Sequence, residues 1–279
     1  ADLAIEAVSE DLSIKRDIFR ELDGLMAPPK TLATNTSSLS VEAIASATRH
    51  PARVLGTHFF NPVPVMKLVE LVRTPQTGED HLSAVRDFLK ALGKVPVSVR
   101  DTPGFIVNRV FRPFYLRACE ILSRGGATIG GVDRAVREKG GAPMGPFELM
   151  DLIGLDVNLA ITRTLYETAG RPERFKPPEL QRRLVESGQT GRKAAIGFYV
   201  YQDGEIASEN PVLQNSALEA SVELWSSGRI WEHIWEGVVA EARLAHSDGV
   251  AAQDDIDTAI KLGTRLPLGP FEYARQAEA

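Results

Sequence analysis

With 279 residues, 43% of them hydrophobic and 25% charged, the chain has the balance of a globular protein with room for two or three compact units, and its net charge of -5 excludes the basic footprint of a nucleic-acid or polybasic membrane-surface protein. A single cysteine, Cys119, excludes an internal disulfide and any multi-cysteine metal site, so no metal centre is expected and a reducing cytoplasm is the compartment it suits. No apolar run approaches the ~18 residues of a membrane span, and the start, Ala1-Asp-Leu-Ala-Ile-Glu6, has neither signal-peptide nor basic transit-sequence features.

Residues 2–8 read as a buried strand with no cap or lead-in, as though the chain opens in the middle of a domain. A helix over 12–26 follows, with Ile14, Ile18, Phe19, Leu22 and Leu25 at helical spacing. Then come a short strand at 31–33, a Ser/Thr-rich loop, a helix from Val41, two β-prone runs at 54–60 and 65–72, a helix over 78–92 and a strand at 95–99. Alternating strands and helices predict a doubly wound, mostly parallel sheet over residues 1–100.

From Ile106 the texture is helical, punctuated by Pro and Gly, until a β-prone run at 197–201. Residues 171–178 read as a connecting loop and 202–211 as a linker, which gives a helical domain at 101–201 and a last helical piece at 212–279. The last piece repeats the earlier one. Val132-Asp-Arg-Ala-Val136 recurs as Ile256-Asp-Thr-Ala-Ile260, and Pro143-Met-Gly-Pro-Phe-Glu148 as Pro267-Leu-Gly-Pro-Phe-Glu272, both at the same offset. This predicts a duplicated module of helix, Gly-Pro break and helix, with Phe147 and Phe271 buried by the breaks.

The densest chemistry lies in Gly56-Thr-His-Phe-Phe-Asn-Pro-Val-Pro-Val-Met-Lys-Leu-Val-Glu70. Pro62 and Pro64 can neither continue a helix nor donate to a central ladder, and a chain folded back about Pro64 sets Glu70 opposite His58. A carboxylate on one imidazole nitrogen fixes the tautomer and leaves the other to take a proton from a substrate hydroxyl. The alternative is a histidine satisfied in the core. Ser37, in Asn35-Thr-Ser-Ser-Leu-Ser40, follows a strand at the sheet edge where ligands dock, and it reads either as a hydrogen-bond donor to a ligand or as a turn or cap. Asn108, in Asp101-Thr-Pro-Gly-Phe-Ile-Val-Asn-Arg109, opens the first long helix, either tolerated there or set against a bound acyl group. Glu6, Glu10 and Lys15 make a charged trio that is either a solvated face or one in which Glu10 and Lys15 reach a dinucleotide crossing the sheet edge. No Gly-x-Gly, P-loop, zinc helix or nucleophile elbow occurs.

Taken together, NTSSLS at 35–40, GTHFFNPVPVMKLVE at 56–70, DTPGFIVNR at 101–109, PMGPFELMDLIGLD at 143–156 and GRKAAIGFY at 191–199 resemble the 3-hydroxyacyl-CoA dehydrogenases, in order and spacing. The resemblance is close over 1–201, and the duplicated tail is similar to the longer bacterial members. It implies an α/β fold followed by all-α structure: a partial Rossmann-like domain, then a 6-phosphogluconate-dehydrogenase-like helical domain and its repeat. It implies NAD-dependent oxidation of an L-3-hydroxyacyl-CoA, with His58 as base, Glu70 orienting it, and Ser37 and Asn108 holding substrate oxygens. Glu10, Lys15, Ser37, Asn61 and Lys193 match positions that in relatives approach the nicotinamide half of NAD. It further implies a homodimer through the helical domains, with no nucleic-acid or membrane partner. The family's strand, glycine-rich turn and following residues that hold the adenosine half are expected ahead of Ala1. A chain lacking them is alternatively a cofactor-poor helical assembly module.

Overall fold

The structure, a computed structural model, describes residues 1–213 and 224–277. It divides into two compact units, Ala1–Arg109 with Arg243–Gly263, and Val110–Ala242 with Thr264–Ala279.

The first unit is built on a five-stranded sheet in sequential order, β1 (Leu3–Glu6), β2 (Thr31–Thr34), β3 (Val54–Phe59), β4 (Leu68–Arg73) and β5 (Val95–Arg100). β1, β2 and β3 are parallel, β4 runs antiparallel to β3, and β5 is parallel to β4. Three helices join them: α1 (Leu12–Leu25), α2 (Val41–Ala45) and α3 (Glu79–Ala91). α1 starts where the Asp11 carboxylate accepts the amide hydrogens of Ser13 and Ile14, and it stops ahead of Pro28 and Pro29, which deny it donors. Ala33, Leu55, Val69 and Leu71 of the sheet and Leu82, Val85 and Leu89 of α3 form one closed apolar cluster. Burying a side chain of this kind contributes about 1.5–3 kcal/mol, which gives β2 to β4 little freedom to slip in register. The first strand is shorter than the reading over 2–8 and lies at a sheet edge, with Ile5 39% exposed.

The second unit contains α5 (Arg112–Ser123), α6 (Ile129–Gly140), α7 (Pro146–Ile153), α8 (Leu155–Thr168) and α9 (Glu179–Glu186). A hairpin, β6 (Tyr199–Gln202) paired antiparallel with β7 (Glu205–Glu209), follows them. The stretch 202–211 expected as a linker therefore carries a strand. Asp203 and Gly204 both adopt positive φ and make the two-residue turn, a hairpin signal masked by the polarity of β7. The helix expected from Ile106 is broken into α4 (Val107–Val110) and α5 at Phe111.

Beyond residues 214–223 the chain resumes in α10 (Ser227–Ser247), α11 (Gln253–Thr264) and α12 (Pro270–Ala277). α11 and α12 begin and end 124 residues after α6 and α7, so the duplicated module is present element for element. Phe147 and Phe271 are both buried. The compact units do not follow chain order, because 243–263, placed by sequence in the last helical piece, belongs to the sheet unit. The Arg100 amide donates to the Val250 carbonyl, Arg109 pairs with Asp248 at 2.5 Å, and Gly263 admits Leu68 and Val107 where a Cβ would meet each at 3.1 Å.

Candidate active site

The antiparallel ladder of β3 and β4 pairs His58 directly with Glu70. His58 Nδ1 lies 2.5 Å from Glu70 Oε2, with His58 6% exposed and Glu70 fully buried. The second Glu70 oxygen, Oε1, accepts the amide hydrogens of Ile106 at 2.9 Å and Val107 at 2.8 Å, the opening donors of α4. The carboxylate is thus held from both sides, and the ring is held by the carboxylate.

Gly104 and Phe105 both have positive φ, and this sharp turn is what aims the two amides at Glu70. For a bulky residue such as Phe105 that conformation is costly, on the order of 1–3 kcal/mol. Its ring packs 5.7 Å from the imidazole, with Phe60 at 4.6 Å on the same ring. Nε2 of His58 has no hydrogen-bond partner among the described residues, and it is not one of the sealed polar atoms there, which are Arg53 Nε, Thr57 Oγ1 and Trp235 Nε1. The imidazole is apolar on its faces, anchored at one nitrogen and open at the other.

A second cluster stands at the carboxyl ends of β1 and β2. Glu10 Oε1 gathers the Thr36 hydroxyl, the Ser37 and Ser38 amides and the Ser38 hydroxyl, at 2.7 to 3.1 Å. Partial burial alone would raise the Glu10 carboxyl, but these hydrogen bonds outweigh it and hold the group below its ordinary range. Lys15 is completely buried, with Nζ 2.8 Å from Glu6 Oε1 and 3.5 Å from Glu10 Oε2. Glu6 Oε2 in turn accepts the Thr34 hydroxyl at 2.7 Å. Ser37 is held by its backbone, its amide on Glu10 and its carbonyl 3.5 Å from the Asn108 amide nitrogen, while its hydroxyl has no partner among the described residues.

The structure links Ser37, Asn108 and Glu10 by hydrogen bonds, sets Lys15 in an ion pair with Glu10, and joins His58 to Glu70. Asn61 is exposed at the head of the bend, where its side chain bonds to neither group. Lys193 lies exposed in the short 3-10 turn Arg192–Ala194 of the second unit. Glu10 is turned inward onto the Ser37 loop. Among the described residues no cluster of three or more His, Cys, Asp or Glu has the arrangement of a metal site, and no helix is long and apolar enough to cross a membrane. Sequence reading passed over Asn35, Thr36 and Phe105, whose parts depend on long-range backbone contacts; the only signal was their place beside recognised residues.

The chain belongs to the 3-hydroxyacyl-CoA dehydrogenase family: residues 1–102 match the family's NAD-binding domain and residues 104–201 its C-terminal domain. It is 45% identical to the 3-hydroxyadipyl-CoA dehydrogenase of Escherichia coli (strain K12), in an alignment of 352 residues that covers 99% of this chain and 74% of that one. It is 44% identical over 201 residues to the mitochondrial hydroxyacyl-coenzyme A dehydrogenase of Homo sapiens, covering 72% of this chain and 64% of the relative. Among solved structures, the 3-hydroxybutyryl-CoA dehydrogenase of Escherichia coli K12 superposes with a TM-score of 0.89 at 32% identity, over 99% of this chain and 75% of that one. The chain thus spans about two thirds of the length of the mammalian relatives it matches.

Proposed function

We propose that this chain carries the reacting residues of an NAD-dependent L-3-hydroxyacyl-CoA dehydrogenase. The observation behind the proposal is the imidazole of His58, pinned at Nδ1 by a buried carboxylate and open at Nε2. The bond at Nδ1 makes Nε2 the nitrogen able to accept a proton. In the oxidation, Nε2 takes the proton of the C3 hydroxyl as the C–O bond becomes a carbonyl. NAD, when bound, supplies the acceptor for the hydride that leaves C3. The buried Glu70 carboxylate offsets the charge that appears on the imidazole.

Ser37 has a hydroxyl with no partner among the described residues on a clamped backbone, which suits it to hold the reacting oxygen, and Asn108 beside it is assigned the acyl carbonyl. The cluster of Glu10, Lys15 and Ser37 is assigned to the nicotinamide half of NAD: it is polar and lies at the carboxyl edge of a mostly parallel sheet, with Lys15 buried behind Glu10 as its ion-pair partner. Asn61 and Lys193 are assigned to the same cofactor on family resemblance. No Gly-x-Gly occurs in the sequence, so the glycine-rich turn expected for the pyrophosphate is not among these residues. An acyl-CoA substrate is supported by the names of the relatives, a homodimer through the helical unit by family resemblance, and a cytoplasmic location by the single cysteine.

The test is His58→Ala, assayed for acyl-CoA-dependent NAD reduction. A fall in turnover of roughly 10²-fold or more is expected, the usual size of an acid-base contribution. Activity near that of the parent would show that another group takes the proton.

A further inference from the structure

The parallel ladder between β2 and β3 ends at the pairing of Thr34 with Gly56. Past that point β2 peels away, its amide at Asn35 still donating to the Glu6 carbonyl at 2.8 Å, to form the loop that carries Ser37. β3 continues for three more residues, through His58. The Phe59 amide is therefore left without a main-chain acceptor on that side, and Asn35 Oδ1 supplies one at 3.0 Å. A backbone N–H can be accepted only by the oxygen of the amide, so the side chain has one orientation and its nitrogen points away from Phe59.

We infer that Asn35 is a positioning residue, which extends the sheet by one side-chain hydrogen bond so that the strand bearing His58 and the loop bearing Ser37 keep a fixed separation. The inference rests on the proposed dehydrogenase reading, in which one group takes the proton and the other holds the oxygen it leaves. Beyond the Thr34–Gly56 pair, the His58 side chain is tethered toward β4, through Glu70, and Ser37 is tethered through Glu10 and Asn108. Asn35 is the residue that bonds to the peptide immediately after His58 while lying two positions before Ser37. Its loss would leave each group's own contacts intact and loosen the distance between them. Misplacement of that order costs turnover rather than binding.

The test uses the full-length protein and three variants, Asn35→Ala, Asn35→Asp and His58→Ala. Asn35→Ala is expected to lower kcat by about tenfold or more with KM for both substrates within about threefold. Asn35→Asp keeps an oxygen for the Phe59 amide and is expected to recover kcat to within about fivefold of the parent. A kcat for Asn35→Ala within twofold of the parent, or an Asn35→Asp variant no better than Asn35→Ala, overturns the assignment. Should Asn35→Ala fail to fold, Asn35→Gln, whose amide sits one methylene further out, takes its place with the same expected split between kcat and KM. A His58→Ala variant with near-parental kcat would remove His58 as the base and with it the reading on which this role rests, whereas an inactive His58→Ala beside an unimpaired Asn35→Ala sinks only the role of Asn35.

Discussion

Glu70 serves three donors with two oxygens, and the manner of its loss decides what fails. In Glu70→Gln the amide oxygen can keep the Ile106 and Val107 amides, which leaves the NH₂ facing His58 Nδ1. That nitrogen must then accept, the ring proton moves to Nε2, and the nitrogen proposed to take the substrate proton can no longer do so, while the packing survives. Turnover is expected to fall roughly 10²-fold or more with a nearly unchanged melting temperature. Glu70→Ala abandons all three donors in a buried site, at about 1–3 kcal/mol for each. Thermal melts and steady-state rates on both variants check this, and a Gln variant with parental turnover would remove Glu70 from the chemistry. The pairing itself was legible in the sequence because two prolines force a fold-back and a strand register carries side chains across it. The left-handed turn at Phe105 was not legible, since nothing in Gly-Phe-Ile marks a non-glycine residue for positive φ.

At the scale of elements, close backbone approach decides which glycines matter. A Cβ on Gly145 would lie 2.2 to 2.4 Å from Asp133 Cγ, Cβ and Cα, because the Asp133 carboxylate reaches over the break to accept the Phe147 and Glu148 amides. No rotation of a flexible side chain relieves a clash with Cα, so Gly145→Ala is expected to destabilise by about 1–3 kcal/mol or more. Gly24, inside α1 with nothing within 4 Å, is the control: Gly24→Ala is expected to stabilise by about 0.5–1 kcal/mol. Chemical denaturation of the two variants measures both, and a neutral Gly145→Ala would show that the break can open. The Gly-Pro-Phe-Glu motif was readable as a repeated break, and in both copies a helix starts at its proline, Pro146 and Pro270. That Asp133, ten residues upstream of the motif proline at Pro143, is the residue shaping the break was not readable, because carboxylate capping across a turn leaves no periodic trace. β7 was missed for a related reason: all but the last of its residues are exposed, so it carries no apolar alternation.

For the molecule as a whole, the two units carry buried carboxylates that answer acid in opposite senses. In the sheet unit Asp23 is desolvated, which would raise it, but bonds from the Arg49 amide, Arg53 and His50 prevail and hold it far below the ordinary carboxylate range. Its contribution is complete above the unfolded value near 3.8 and fades as pH falls below it. In the helical unit, burial pushes Asp133 up to about 7 and Asp151 up to about 6, against the pull of the Phe147, Phe198 and Tyr199 amides and the Tyr199 and Tyr201 hydroxyls. Between pH 4 and 7 the folded helical unit therefore holds more protons than the unfolded chain. Linkage then makes its stability fall as pH rises through that window and level off above it. Moving from pH 7.5 to 5 is accordingly expected to strengthen the helical unit while leaving Asp23 undisturbed. The gain is a few kcal/mol at most, since each pH unit crossed with one extra proton held by the fold is worth about 1.4 kcal/mol. Asp133→Asn isolates the effect. It has no proton to gain, so its stability relative to the parent should improve steadily as pH rises from 5 to 7.5, even though the variant is less stable overall for want of a second acceptor. Thermal melts of both proteins across that range give the difference, and a gap that does not change with pH would mean that the Asp133 carboxylate stays ionised in the fold.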